Sequence, residues 1–378
     1  MINYSLDYKK IGTGSSYGAI AEDHHAAKAV EAAVAKIEPN STIGSVLLFL
    51  SSAYSHAPHG AIKLAAKVAG TPQVFGCCAL NLLCDEEWLM DVEGAVAMVF
   101  PRETALQPLR VMEQLEIQPN AVLTLASPNA SAIATNTTQL GQFGSLCSDE
   151  FGHGPYSIWQ SGQIQEHEFS LSAFPPKLKP HTIIATGEKA LSKNMQINLA
   201  NDHDLKQINQ QRAFDTLPED LKTIAETQPY QLLCCTSETN DPNGLAKGVY
   251  AVNHVISVDR ESGVVQISGK PKAGRYLFWA IRDAESAGES VQEELLKLKI
   301  SLEKDSDKTP LFALMFPNIS RGAEFYNGLD KDFECFKSTF PEVPMIGFYG
   351  NGEITQSPIT NKNIIRQYAT VITIFTEQ

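Results

Sequence analysis

Ser45-Val-Leu-Leu-Phe-Leu-Ser-Ser52 is an apolar run bounded by turn residues and too short for a buried helix, so it reads as a strand covered on both faces. The flanking segments say what kind of fold it belongs to. Upstream, from about Glu22 to Ile37, Ala26, Ala27, Val30, Ala33, Val34 and Ile37 recur at helical spacing, with Asp23 placed to cap the start and Pro39 beyond the end. Downstream, Ile62, Leu64, Ala65 and Val68 mark a helix from His59 to Val68. Gln73-Val-Phe-Gly76-Cys-Cys78 and Gly94-Ala-Val-Ala-Met-Val-Phe100 then read as strands, the second stopped by Pro101. Strands alternating with helices predict an α/β fold.

The end of the chain repeats this plan. Leu311-Phe-Ala-Leu-Met-Phe316 is a buried strand, and a helix from Asp332 to Thr339 presents Phe333 and Phe336 on one face. Val343-Pro-Met-Ile-Gly347 and Thr370-Val-Ile-Thr-Ile-Phe375 complete the set. A weaker echo lies between, in Ala121 to Ala126, Phe143 to Asp149 and Phe169 to Phe174. The predicted architecture is therefore mixed β-sheets covered by helices, built from strand-helix-strand-strand units that are either duplicated or merely alike. At 378 residues the chain exceeds what one core usually supports. Two domains are expected, 1–215 and 216–378. In the second, Gly248 to Ser257 and Val264 to Ser268 flank Asp259-Arg-Glu-Ser-Gly263 as a hairpin. Tyr276 to Ile281 follows as a strand, and Glu285 to Leu302 as a helix.

Composition narrows the function classes. A formal net charge of −13 repels phosphate backbones and anionic membrane surfaces, so neither nucleic acid nor membrane is an expected partner. The apolar runs fall far short of the roughly 20 residues of a membrane span, and Met1 to Lys10 lacks the apolar core of a signal peptide. Seven cysteines, two pairs of them adjacent (Cys77-Cys78 and Cys234-Cys235), fit buried thiols in a reducing compartment, which points to the cytoplasm. Gly12-Thr-Gly14-Ser-Ser-Tyr-Gly18 looks like a nucleotide loop, but its spacing is wrong and no buried strand precedes it. It reads as an amino-terminal loop. There is no Walker motif, GxSxG elbow or HExxH.

Four stretches together resemble the FIST family, whose members carry amino-terminal and carboxy-terminal FIST domains. They are the Asp259 and Gly263 hairpin; Gly274 before a strand ending in Ile281-Arg282-Asp283; Phe316-Pro-Asn-Ile-Ser-Arg321-Gly322; and Pro344, Gly347, Phe348, Gly352, Glu353 and Ile354 in the register of the family signature. Val46 to Leu50 and Gly76-Cys77 match the amino-terminal domain, where Cys78-Ala-Leu-Asn-Leu82 replaces the usual Gly-Glu pair. Asn318 and Arg366 stand where relatives have Cys and His. The resemblance implies a non-catalytic sensory protein for a small, amino-acid-like ligand, signalling through a separate histidine kinase or cyclic-dinucleotide enzyme. Some members resemble haem proteins that sense nitric oxide.

Candidate site residues follow. Gly347-Phe-Tyr349-Gly-Asn-Gly352-Glu353 is either a ligand loop, with backbone N–H groups on an anion and Glu353 on an ammonium group, or a tight turn after a core strand. Arg321, beside Gly322 at a strand end, either grips a ligand carboxylate or pairs with a structural acid such as Asp330 or Glu353. Gly76 and Cys77 occupy the matching place in the first domain, although by spacing the cysteines read as apolar core rather than metal ligands. A haem iron would draw on His153, His181 or His56. An enzyme acting on a small acidic substrate remains the alternative, with Glu353 and Asp283 as its carboxylate pair.

Overall fold

The computed structural model describes residues 10–85, 87–241, 243–246, 250–304 and 308–377. One succession of elements occurs three times. The first unit is β1 (Gly12–Gly18), α1 (His24–Val34), β2 (Ile43–Ser51), α2 (His59–Ala69), β3 (Val74–Ala79), the hairpin β4 (Leu82–Cys84) and β5 (Glu87–Leu89), then β6 (Glu93–Pro101). The second is β7 (Gln107–Pro108), α3 (Leu109–Gln114), β8 (Val122–Ala126), α4 (Ser131–Asn136), β9 (Gln142–Leu146), the hairpin β10 (Ile158–Gln160) and β11 (Gln163–Ile164), then β12 (Phe169–Ala173).

The third unit opens with β13 (Leu178–Ala185) and is then interrupted. The insertion holds β14 (Glu188–Ala190), β15 (Met195–Asn201), β16 (Asp204–Ile208), β17 (Gln211–Arg212), α5 (Glu219–Thr227), β18 (Leu232–Ser237), α6 (Asn243–Ala246), β19 (Tyr250–Asp259), β20 (Val264–Ile267) and β21 (Tyr276–Arg282). The unit resumes with α7 (Ala284–Glu303), β22 (Pro310–Pro317), α8 (Lys331–Thr339), β23 (Met345–Phe348), the hairpin β24 (Glu353–Gln356) and β25 (Asn363–Arg366), then β26 (Thr370–Glu377).

Each unit centres on a parallel pair, β2–β3, β8–β9 or β22–β23. The last strand of the unit lies antiparallel beside it and pairs in turn with the first. The hairpins do not stay at home. β4 pairs with β23, β24 with β9, and β10 with β3, so each sheet is finished by a hairpin from another unit and the exchange closes on itself. The faces turned inward share one core, where Phe49 meets Phe316 and Phe348, and Phe375 meets Phe143, Phe174 and Phe312. The outward faces are covered by helices, α1 and α2 over the first sheet and α7 and α8 over the third. Thus Leu47 and Phe49 face the common core while Val46, Leu48 and Leu50 face α1 and α2, which is the two-sided burial that their apolar run implies.

One glycine recurs at the same register. Gly76 lies opposite Leu48, Gly144 opposite Thr124, and Gly347 opposite Met315. A Cβ at these positions would stand 1.7, 2.0 and 1.7 Å from the facing carbonyl oxygen. Only glycine lets the second parallel strand come so close to the first.

The inserted strands form a six-stranded closed ring in the order β21, β15, β16, β20, β19, β18, returning to β21. Trp279, Leu232, Val255, Val265 and Ile267 fill it. Position 215, where the sequence reading divides the chain, falls within this run of barrel strands, between β17 and β18.

Two sequence readings need correction. Gly12 to Gly18 is not a loop but edge strand β1, paired along its length with β6. Its glycines serve helix packing, since a Cβ on Gly12 or Gly14 would lie 2.0 or 2.2 Å from the carbonyl oxygens of Ala33 or Ala29 in α1. Asp23 makes no side-chain cap on α1. Its carboxylate occupies the space beside Gly60 that a Cβ there would need. No helix among the described residues is long and apolar enough to cross a membrane.

Candidate functional site

Beyond the carboxyl end of β22 the chain turns through Asn318, whose Oδ1 accepts from the Ser320 N–H (3.2 Å) and hydroxyl (2.6 Å). Its Nδ2 donates to Glu353 Oε1 at 3.0 Å, and the Ala369 N–H donates to the other oxygen. Glu353 is fully buried, and burial pushes its carboxyl well above the usual carboxylate range, against the pull of those two donors.

The turn sends Arg321 inward, where it is 1% exposed. Nε and Nη2 form a fork on Asp332, both at 2.8 Å. Nη1 donates to the Tyr368 carbonyl at 3.0 Å, and Nη2 also reaches the Ala287 carbonyl and the Tyr326 hydroxyl. Each guanidinium nitrogen is therefore bound by protein groups that tie β22, α7, α8 and the segment before β26 together. The structural acid is Asp332, rather than Asp330 or Glu353. Asp330 caps α8 and accepts from the Tyr349 hydroxyl. Burial, with the Asp332 charge adding to it, pushes the Asp330 carboxyl up to about 6.

Over this buried layer opens a cleft of about 1100 Å³. One wall is Asn81, Trp88, Met90 and Asp91, around the β4–β5 hairpin of the first unit; the other is the Ile319–Phe325 segment of the third. The cleft thus lies outside the carboxyl end of a parallel strand, where α/β sheets collect their ligands. Arg282, the last residue of barrel strand β21, reaches in from the side. Its guanidinium carbon stands 4.7 Å from the Phe325 ring centre and 5.0 Å from that of Tyr368, and Nη2 donates to the Ser320 carbonyl. Among the described residues no carboxylate forms an ion pair with it. Burial lowers its pKa, and the nearby Arg321 charge lowers it further. Aromatic faces fix the plane of this cation, and Glu188 acts on its charge only from a distance, without an ion pair.

Of the residues singled out in the sequence, Gly322 lines the cleft, and Tyr349 lies just beneath it, 3.7 Å from where a Gly322 Cβ would be. Arg321 and Glu353 belong to the layer below. Gly347 spaces two strands, and Gly352 closes on Ile365 and Leu146 with a φ of +143°. Gly76 and Cys77 are buried in β3, and burial pushes the Cys77 thiol well up. His56 and His153 are exposed on loops, and His181 on β13 meets the Thr376 hydroxyl at 3.1 Å. None of these histidines lines the cleft. Asp283 caps α7 by accepting from the Ser286 N–H and hydroxyl and, like Glu353, does not line the cleft. Arg282 was legible as part of a family motif but not as a ligand group. Its only local signal is a cation ending an apolar strand.

Residues 213–356 match the FIST C domain family. Uncharacterized proteins of Mycobacterium bovis and Mycobacterium tuberculosis are each 22% identical over 134 residues, which is 35% of this chain and 32% of theirs. The match thus spans about a third of those relatives. A solved structure titled "T. maritima PurL complexed with ATP" aligns with 97% of this chain and 71% of its own at 8% identity, but the TM-score of 0.25 carries no argument about fold or ligand. The matched stretch contains the Asp259 hairpin, Arg282, Arg321-Gly322 and Gly352-Glu353, so that over these residues the chain is similar to the FIST C domain family.

Proposed function

We propose that this protein senses a small carboxylate-bearing metabolite, amino-acid-like in its charges, in the cleft beside Arg282, and signals through a separate partner. FIST C domains form a small-ligand-binding sensory family rather than a catalytic one. The observation that carries the placement is the state of Arg282: half-buried, stacked between Phe325 and Tyr368, and without a carboxylate partner among the described residues. A ligand carboxylate supplies the missing charge through a two-bond fork. Asp91 and Glu324 offer a place for an ammonium group, and Trp88, Met90 and Phe325 an apolar wall for a side chain.

The cleft also touches three separate parts of the molecule, namely the first unit's hairpin, the third unit's turn and the barrel. A ligand that grips all three better in one arrangement than in another shifts the population towards that arrangement. A kinase or cyclic-dinucleotide enzyme in the cytoplasm would read that shift. The described cysteines are all free, in keeping with such a compartment.

A thermal-shift screen of amino acids and small organic acids, followed by calorimetric titration of the best, tests the reading. Arg282→Ala is expected to lose binding while melting like the parent. Undiminished affinity in that variant would remove the ligand from this cleft. Protein from haem-supplemented cells is expected to lack a Soret band, and a stoichiometric band that moves with nitric oxide would replace this reading with the haem one.

A further inference from the structure

A second cavity, of about 440 Å³, lies at the seam between the barrel and the β24–β25 hairpin. Thr186 and Arg366 line both it and an adjoining groove of about 760 Å³ along β13 and α7. Three cationic side chains converge on the smaller cavity, Arg275 from just before β21, Lys362 from the hairpin turn and Arg366 from β25. Among the described residues one carboxylate lines it, that of Glu238. In a chain of net charge −13 a local excess of two positive charges is against the trend.

The inner end of the cavity is incompletely bonded. Arg366 is 6% exposed, with Nε donating to Thr355 Oγ1 at 3.3 Å and Nη1 to the Tyr250 carbonyl at 3.1 Å. Nη2 stops 3.8 Å short of Glu238 Oε1, too far for a hydrogen bond. The other Glu238 oxygen accepts from Ser357 at 2.7 Å, whereas Oε1 is buried and receives no donor. A donor nitrogen of a buried side chain and a buried, unpartnered acceptor thus face each other across a gap. A hydroxyl completes both at once, accepting from Nη2 and donating to Oε1. The outer cations, Arg275 and Lys362, suit a phosphate, with Ile364 and Ile365 beside them as an apolar wall.

We infer that the seam cavity binds a small phosphorylated polyol, with its hydroxyl between Arg366 and Glu238 and its phosphate on Arg275 and Lys362. The site is separate from the Arg282 cleft and does not rest on that reading. Its occupant would join barrel strand β19, which supplies Tyr250, to the hairpin that completes the second unit's sheet.

The test is calorimetric titration of the full chain with glycerol 3-phosphate, inorganic phosphate and glycerol, each at low and high salt. Glycerol 3-phosphate is expected to bind, more weakly as salt rises. Phosphate should bind more weakly than the phosphorylated polyol, and glycerol not at all. Among the described residues the Arg275 side chain donates only to the Ser237 carbonyl and Lys362 forms no ion pair, so the double variant R275A/K362A should melt like the parent while its affinity for glycerol 3-phosphate falls about tenfold or more. Glu238→Gln should remove the preference for the polyol ester over inorganic phosphate. Absence of binding in the parent would overturn the inference, as would equal affinity in the double variant and the parent.

Discussion

The two arginines of the FIST C region make a sharp experimental pair. Arg321→Ala removes a guanidinium that forks onto buried Asp332 and satisfies two backbone carbonyls and the Tyr326 hydroxyl. Asp332 keeps its Tyr326 and Thr370 donors but loses its counter-charge. Breaking one side of a buried ion pair costs about 3–5 kcal/mol, because the remaining charge is left uncompensated. With an unfolding entropy of about 2.1 cal/mol/K per residue, the 378-residue chain gives roughly 0.8 kcal/mol/K. A loss of about 4 kcal/mol therefore lowers Tm by about 5 °C. Arg282→Ala removes a stacked, partly solvated cation without an acid partner, and a cost near 1 kcal/mol, or about 1 °C, is expected. Scanning calorimetry on parent and both variants reads the difference, and calorimetric titration reads binding. If Arg321→Ala melts like the parent and loses the ligand while Arg282→Ala keeps it, the assignment is reversed and the reasoning from partner saturation fails.

Two further predictions concern the fold. Gly76→Ala, Gly144→Ala and Gly347→Ala each force a methyl group against a backbone carbonyl, and each is expected to cost about 2 kcal/mol or more in urea unfolding. Gly152→Ala, where a Cβ meets nothing within 4 Å, serves as the comparison, its cost confined to the strain of a φ of +72°. If the three core variants are no worse than that comparison, the close-approach account is wrong. For Asp330, the folded-state carboxyl near 6 lies above its ordinary 3.8, so the folded protein binds this proton more tightly than the unfolded chain does. The stability this lends is fully present below about pH 4 and is lost as pH rises through 6, by on the order of 2–3 kcal/mol. The parent should therefore lose stability relative to Asp330→Asn between pH 4 and 7. A difference that is flat across that range would show that the shift is absent.

The strands were legible wherever both faces are buried, since a short apolar run framed by turn residues has few other uses. That covers β2, β3, β6, β22 and β26, and the Asp259 turn located the β19–β20 hairpin. The second unit showed only as an echo because α3 and α4 have six residues each, too few to display a period. Arg321 and Arg282 look alike in sequence, each a cation at a strand end. What separates them is whether a carboxylate folds back to meet them, and Asp332 lies a loop and a helix start away from Arg321 with nothing local to announce the pairing.

The exchanged hairpins carry this argument furthest. Leu82 to Cys84 pairs with Ile346 to Phe348 from the other end of the chain, and a strand carries no label for a partner so distant. Yet that pairing makes the cleft, because the segment following it bears Trp88, Met90 and Asp91 against the turn after β22. The FIST C match at 213–356 therefore covers only one wall. Residues of the other wall come from the first unit: Leu80 and Asn81 fall within Cys78-Ala-Leu-Asn-Leu82, which departs from the family pattern, and Trp88, Met90 and Asp91 follow it. Under the cleft reading, ligand choice is written largely in the first unit's wall and anchoring in the matched stretch. Relatives that share Arg282 but differ around Trp88 would then hold the same carboxylate and select different side chains.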